Sequence, residues 1–303
     1  MAKSTALYFT DVIAIGPREA LFAGHLYLEG AEPTVTRVMM LDEEDWFHVY
    51  DIPEVVCSGL QRAARPGQKK GDFCFLGRSG LLREHPSGLA HRDAHLDIDT
   101  PYLMGMSEIK GELYACGTQN QVLRTSKGVW QRIDQGIYTP LGDEVTACLN
   151  AIAGFSPHDL YAVGDTGAIW HWDGQAWRES PGPTCLPLYC VHCATDGTVY
   201  IGGAGGVLLK GNTETGWTDI GNADLCSEVL EDMAEFDGKL YVTATDQLLE
   251  YDGIRLRETK VPVKGKKAYY AIDAKADVMW VVGDESVLSF DGGAWRRHVC
   301  PEN

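Results

Sequence analysis

Four residues of one short stretch, Cys185, Cys190, His192 and Cys193, are of the types that hold zinc. The Cys-x-x-Cys spacing of 190 and 193 suits a metal, but Leu188 to Ala194 reads as a β-strand. Alternation along it sends Cys190 and His192 to one face and Cys193 to the other. A structural zinc site draws on turns and needs four converging ligands. Free thiols packed as small hydrophobes are the expected role here. A second group, His85, His91 and His95, spans a turn and an outer strand with no carboxylate to orient an imidazole. These read as solvated edge histidines. The glycine-rich run Gly202 to Gly206 joins two strands instead of opening a helix, and no Lys-Ser/Thr follows, so it is a turn and not a phosphate cradle. No Gly-x-Ser-x-Gly elbow occurs. The sequence therefore offers no catalytic set and no resident metal or cofactor.

Carboxylates are the stronger lead. Between Asp219 and Glu235 there are six (Asp219, Asp224, Glu228, Glu231, Asp232 and Glu235) and no Lys or Arg. Asp143 and Glu144 precede another strand, and Asp93, Asp97 and Asp99 approach a third. Tyr102, Tyr138, Tyr189, Tyr269 and Tyr270 fall in the same connecting regions. Tyrosine beside acid is a common composition for a protein-binding patch. The residues expected to bind a partner are Asp143, Glu144, Asp224, Glu228, Glu231, Asp232, Tyr138, Tyr189 and Tyr269. The net charge of −17 argues against nucleic acid and against an anionic membrane surface, both of which need a basic stripe. It favours a basic protein. The basic residues Arg62, Arg65, Lys69 and Lys70 sit in Gln61 to Gly71, which lacks apolar anchors and reads as a mobile exposed loop.

What must position these residues is a repeat. Seven strand-like runs end in or just before a tight turn: Ala20 to Gly24, Phe73 to Gly77, Leu113 to Gly117, Leu160 to Gly164, Val199 to Gly203, Leu240 to Ala244 and Met279 to Gly283. Their spacing of about forty residues, carried by β-rich units, indicates a propeller. In the clearest unit, Asp159 to Ser180, two strands flank Gly164-Asp165-Thr166-Gly167 and a third follows Asp173-Gly174. Asp-Gly supplies the positive φ that tight hairpins need. A further apolar run precedes each unit and supplies an innermost strand. Trp46, Trp130, Trp177, Trp217 and Trp295 follow the last turns and are expected to pack between neighbouring blades.

The Leu-Tyr-Ala-Val-Gly strand with its aromatic-Asp-Gly and Trp turn resembles repeats of bacterial propellers of the kelch-like and sialidase-repeat-like kind. The chain departs from full Asp-boxes, from regular kelch Gly-Gly doublets and from WD40 pairings. The resemblance implies a fold, which interaction scaffolds and enzymes share.

The expected fold is all-β, a seven-bladed propeller of four-stranded antiparallel blades in a single domain, 1–303. The blades fall at about 6–51, 52–95, 100–134, 144–180, 187–221, 228–260 and 267–300. Blade one is expected to close on blade seven. No apolar run approaches the ~18 residues of a membrane span, and the N-terminus makes a poor signal peptide. The odd count of nine cysteines fits a reducing compartment, so the cytosol is expected. The expected function is a non-enzymatic module that binds a basic protein through an acidic face, in one version an antagonist or immunity-type protein neutralising a bacterial toxin. The alternative is a propeller hydrolase or lyase acting on a sugar or lactone, with carboxylates at the channel mouth holding calcium.

Overall fold

All seven copies of the repeated run are second strands of four-stranded antiparallel sheets. The computed structural model describes residues 5–28, 32–68, 70–86, 90–98, 102–126, 128–140, 147–265 and 267–303. Each sheet is four consecutive strands taken in chain order, and the seven sheets are the blades of a β-propeller. They run Thr5–Ile52, Val56–His95, Leu103–Arg132, Leu149–Glu179, Leu188–Asp219, Leu230–Glu258 and Ala271–His298. The chain divides into two compact units: residues 1–56 with 224–303, and residues 57–223. Among the described residues no helix is long and apolar enough to cross a membrane.

The second strands are apolar without alternation because both their faces are covered. In Val278–Gly283 every residue is buried, and in Leu160–Gly164 likewise. The glycine that ends the run has a separate cause. In blades three, four, five and seven the connection leading into the blade crosses over it, so a Cβ at Gly117 would lie 2.2 Å from Tyr102 O and one at Gly164 only 1.8 Å from Cys148 O. Gly203 and Gly283 are crowded in the same way by Pro187 and Ala268. Because the obstacle is backbone, Gly164→Ala is expected to cost about 3 kcal/mol, read as a shift in the denaturant midpoint. An unchanged midpoint would refute the close-approach explanation.

Two further repeated devices hold the blades. In the last hairpins an Asp caps its own turn: Asp173 Oδ1 accepts from Gln175 N and Ala176 N, both at 2.9 Å, and Asp252 and Asp291 do the same. Such Asx turns satisfy backbone donors that the tight loop would otherwise leave open. The tryptophans then pack as the repeat predicts. Trp177 Nε1 donates to Ile133 O at 2.7 Å, across to blade three, and Trp217 Nε1 donates to Ser180 Oγ at 2.9 Å, beside blade four. Trp46, Trp130 and Trp295 lie against apolar clusters drawn from two adjacent blades each.

Gln61 to Gly71 is exposed over residues 63–68, as its sequence leads one to expect, and is held at its base. Apolar anchors are lacking, but polar ones replace them. Arg62 N donates to Asp72 O at 2.8 Å, and Gln68 Nε2 donates to Asp72 Oδ1 at 3.1 Å. Arg62 itself is largely buried, pairing with Glu84 and Glu108 at 3.5 and 3.4 Å. Its charge is satisfied inside the protein and is not displayed to a partner.

Within the first unit, the innermost strand of blade one (Thr5–Gly16) packs beside blade seven. Phe9 N donates to Asp284 O at 2.8 Å, Ala14 N to Asp273 Oδ2 at 2.8 Å, and Trp280 Nε1 to Gly16 O at 3.1 Å. The expected closure of blade one on blade seven is what the structure has, with no strand exchanged between their sheets.

Candidate partner-binding face

Antiparallel order places each blade's incoming connection at the same end as the turn between its second and third strands. Backbone bonds tie the two together: Thr118 N to Tyr102 O and Ala204 N to Pro187 O at 2.9 Å, and Asp165 N to Cys148 O at 3.0 Å. The turns Asp165–Gly167 and Ala204–Gly206 share one conformation, with left-handed φ at Thr166 (58°) and Gly205 (68°). Gly202 to Gly206 is thus a blade turn, as its sequence indicates. Cys193, at the opposite end of the inner strand Leu188–Cys193, is desolvated, which pushes its thiol up to about 12, and it packs against an apolar cluster of blades four and five.

The residues proposed from the sequence meet different fates at this end. Asp143 and Glu144 lie outside the described residues. Asp224 and Glu228 are exposed on the connection into blade six. Burial raises the Cys226 thiol there, and Glu228, Asp246 and Glu258 add negative potential around it. Tyr189 is exposed, whereas Tyr138 is half-covered by the Arg132 guanidinium, 4.2 Å above its ring. Tyr269 is only 3% exposed and fills the core between blades six and seven.

Asp232 is a structural crosspiece. Its Oδ1 accepts from Met233 N at 2.8 Å and its Oδ2 from Ile272 N at 3.0 Å, in the inner strand of the next blade. Asp273 makes the corresponding link onward, accepting from Ala274 N and, in blade one, Ala14 N, both at 2.8 Å. Enclosure in backbone desolvates both carboxyls, raising Asp232 to about 7 and Asp273 to about 6 despite those bonds.

A feature that sequence reading misses is a bulge at the start of the inner strands. Pairing skips one residue between Phe9 and Asp11, Leu103 and Gly105, Leu149 and Ala151, Leu188 and Cys190, and Leu230 and Asp232. The skipped residues are Thr10, Met104, Asn150, Tyr189 and Glu231. Tyr270 holds the matching place in blade seven, its N–H donating to Val282 O at 2.7 Å. In every case a buried residue precedes the skipped one, which is left part-exposed. A bulge re-aims a side chain without disturbing the frame around it. In these six blades one position is thereby set apart from the pairing, and its occupants differ in chemistry: Asn150 uses it to donate to Leu188 O of the next blade at 2.9 Å. The usable signal was the residue just after the apolar one that opens each inner strand.

In the first unit two of these residues meet a third. The Tyr270 hydroxyl donates to Asp284 Oδ1 at 3.1 Å. Burial pushes that hydroxyl up to about 12, with Asp284, Glu231 and Tyr27 contributing. Glu231 is raised by desolvation, and among the described residues its carboxylate has neither hydrogen bond nor ion pair.

No family model matches the chain. Among solved structures it is similar to streptogramin B lyase (TM-score 0.69, 13% identity, 94% of this chain and 92% of that one). It is also similar to YCF48 bound to D1 peptide (TM-score 0.66, 15% identity, 99% and 95%). These likenesses are ones of fold alone. In sequence it is 34% identical over 229 residues to the Immune protein Tsi7 of Pseudomonas aeruginosa, a match spanning 74% of each chain. That extent of shared sequence places the chain in the family of the immune protein Tsi7.

Proposed function

We propose that this chain is a cytoplasmic, single-domain immunity protein that neutralises a protein toxin by binding it, with the connection ends of its blades as the contact surface. The observation that carries the reading is where large apolar groups are left in water. Tyr102 (52% exposed), Leu186 (42%) and Tyr189 (36%) lie on or just after connections into blades three and five, whereas Phe47, Val129, Ile254 and Val299 stand singly on or beside outer strands and last hairpins of four blades. Exposed rings and aliphatic groups gathered at one edge are the usual anchors of a protein interface. Exposed acids on the connection into blade six, Asp224 and Glu228, suit a basic partner and would speed its capture.

Capture from native lysate, followed by co-expression of the captured protein with this chain, tests the reading. The expected result is a protein that arrests growth alone and is harmless beside this chain. The triple variant Tyr102→Ala, Leu186→Ala, Tyr189→Ala should weaken its binding about 100-fold. Ile254→Ala, at an exposed site on the last hairpin of blade six, should not. A captured protein without toxicity, or one indifferent to the triple variant, overturns the proposal.

A further inference from the structure

Glu231 is a cost to the fold. It is a half-buried carboxylate, desolvated, with no cation against it among the described residues. Residues that strain stability in this way are retained where function needs them. It is the skipped residue of blade six, directly before Asp232, and the 3.0 Å bond from Ile272 N to Asp232 Oδ2 brings this start of the inner strand against the Tyr270 end of the inner strand of blade seven.

We infer that Glu231 and Tyr270 take a cationic side chain, an arginine or lysine, from a basic segment of the protein partner. This deepens the binding reading above and rests on it. The Tyr270 hydroxyl is held by Asp284, which fixes the ring and leaves its face to a guanidinium or ammonium. The open Glu231 carboxylate suits the planar fork of an arginine, and Asp284 adds a second negative charge nearby. A hard cation such as calcium fits less well, since it asks for six to eight oxygens and, of the carboxylates named here, Asp232 and Asp284 are already engaged.

The probe is a fluorescent arginine-glycine repeat peptide, with a glutamate-glycine peptide as the charge-reversed control, titrated against the whole protein at low and high salt. Wild type is expected to bind the arginine peptide alone, and less tightly at high salt. Glu231→Gln should weaken it about tenfold or more, and Tyr270→Ala should do likewise. Tyr270→Phe should retain most of the affinity. Glu231→Gln should also melt at the same temperature as wild type or higher, which separates lost recognition from lost folding. Glu214→Gln, removing an exposed acid from the last hairpin of blade five, should change nothing. Equal loss in Glu214→Gln would mean diffuse attraction and would overturn the subsite. So would a calcium-dependent rise in melting temperature that Glu231→Gln abolishes. The two readings fail separately: a toxin captured undiminished by Glu231→Gln rejects the subsite, whereas no toxin captured by wild type rejects the binding function.

Discussion

Replacing Trp280 with alanine is expected to lower the unfolding free energy by about 3–5 kcal/mol, the range for truncating a fully buried large ring. Trp280 is 0% exposed, packs edge-on against Phe22 at 5.8 Å, and lies 4.9 Å from the His298 ring. Its Nε1–H reaches Gly16 O, so the same side chain fills the core of blade seven and pins the inner strand of blade one. Burial pushes the His298 imidazole down to about 4, so a neutral ring packs there. Trp280→Phe keeps much of the packing but leaves Gly16 O without its donor, and should cost roughly 2 kcal/mol less than alanine. Equilibrium denaturation of the three proteins decides it. A loss under about 1 kcal/mol in Trp280→Ala would show that the seam between blades one and seven does not depend on this ring.

Stability should also fall as the pH rises toward neutrality, against the habit of carboxylates. Asp232 and Asp273 have folded values of about 7 and 6 against an ordinary 3.8. Between about pH 4 and those values the native state holds protons that the unfolded chain has released. Each carboxyl then contributes a slope of up to about −1.4 kcal/mol per pH unit. The contribution is complete near pH 4 and lost through about pH 6 for Asp273 and pH 7 for Asp232. Asp273 and Glu231 face Asp232 and steepen its shift, while Lys275 moderates that of Asp273. Asp51 and Asp93 work in the opposite sense, held low by Arg37 and Arg83, and lose their contribution only in stronger acid. Unfolding free energies measured from pH 5 to pH 8 should decline in wild type and flatten in Asp232→Asn and Asp273→Asn. The asparagine variants should be less stable at pH 5, since each exchanges a carboxyl oxygen for an amide nitrogen that cannot accept from backbone N–H. A wild-type curve that rises across this range would refute the enclosed state of both groups.

The blade frame was open to sequence reading because its causes are local. Asp-Gly turns, apolar second strands and inter-blade tryptophans each follow from a rule that one or two residues satisfy. The residues proposed to face a partner obey no such rule. Asp232 and Glu231 are adjacent acids in the same run, yet one links two blades through backbone N–H groups and the other stands unpaired. The difference is the bulge, a one-residue offset between strands that alternation cannot reveal. Tyr269 and Tyr270 are likewise neighbours, and register alone sends one to the core and the other to the edge. In Gln61 to Gly71 the exposure was legible and the anchoring was not, for the opposite reason. Its anchor is Asp72, a charged residue buried to 7% exposure, and a buried charge leaves no hydrophobic trace in the chain.

The hydrogen bond from Ala14 to Asp273 joins residues 259 apart in sequence. Contacts of such high order reward the chain only after a very long loop has been closed, and they form late. On the ribosome, the strand Thr5–Gly16 emerges long before Val278–Gly283, the strand beside which it comes to rest. Until then the backbone N–H groups of Phe9 and Ala14 lack their acceptors in blade seven, so the nascent protein passes through a stage with one blade open to mispairing. Synthesis rate and chaperone supply are therefore expected to govern the yield of this protein more than the intrinsic stability of any single blade.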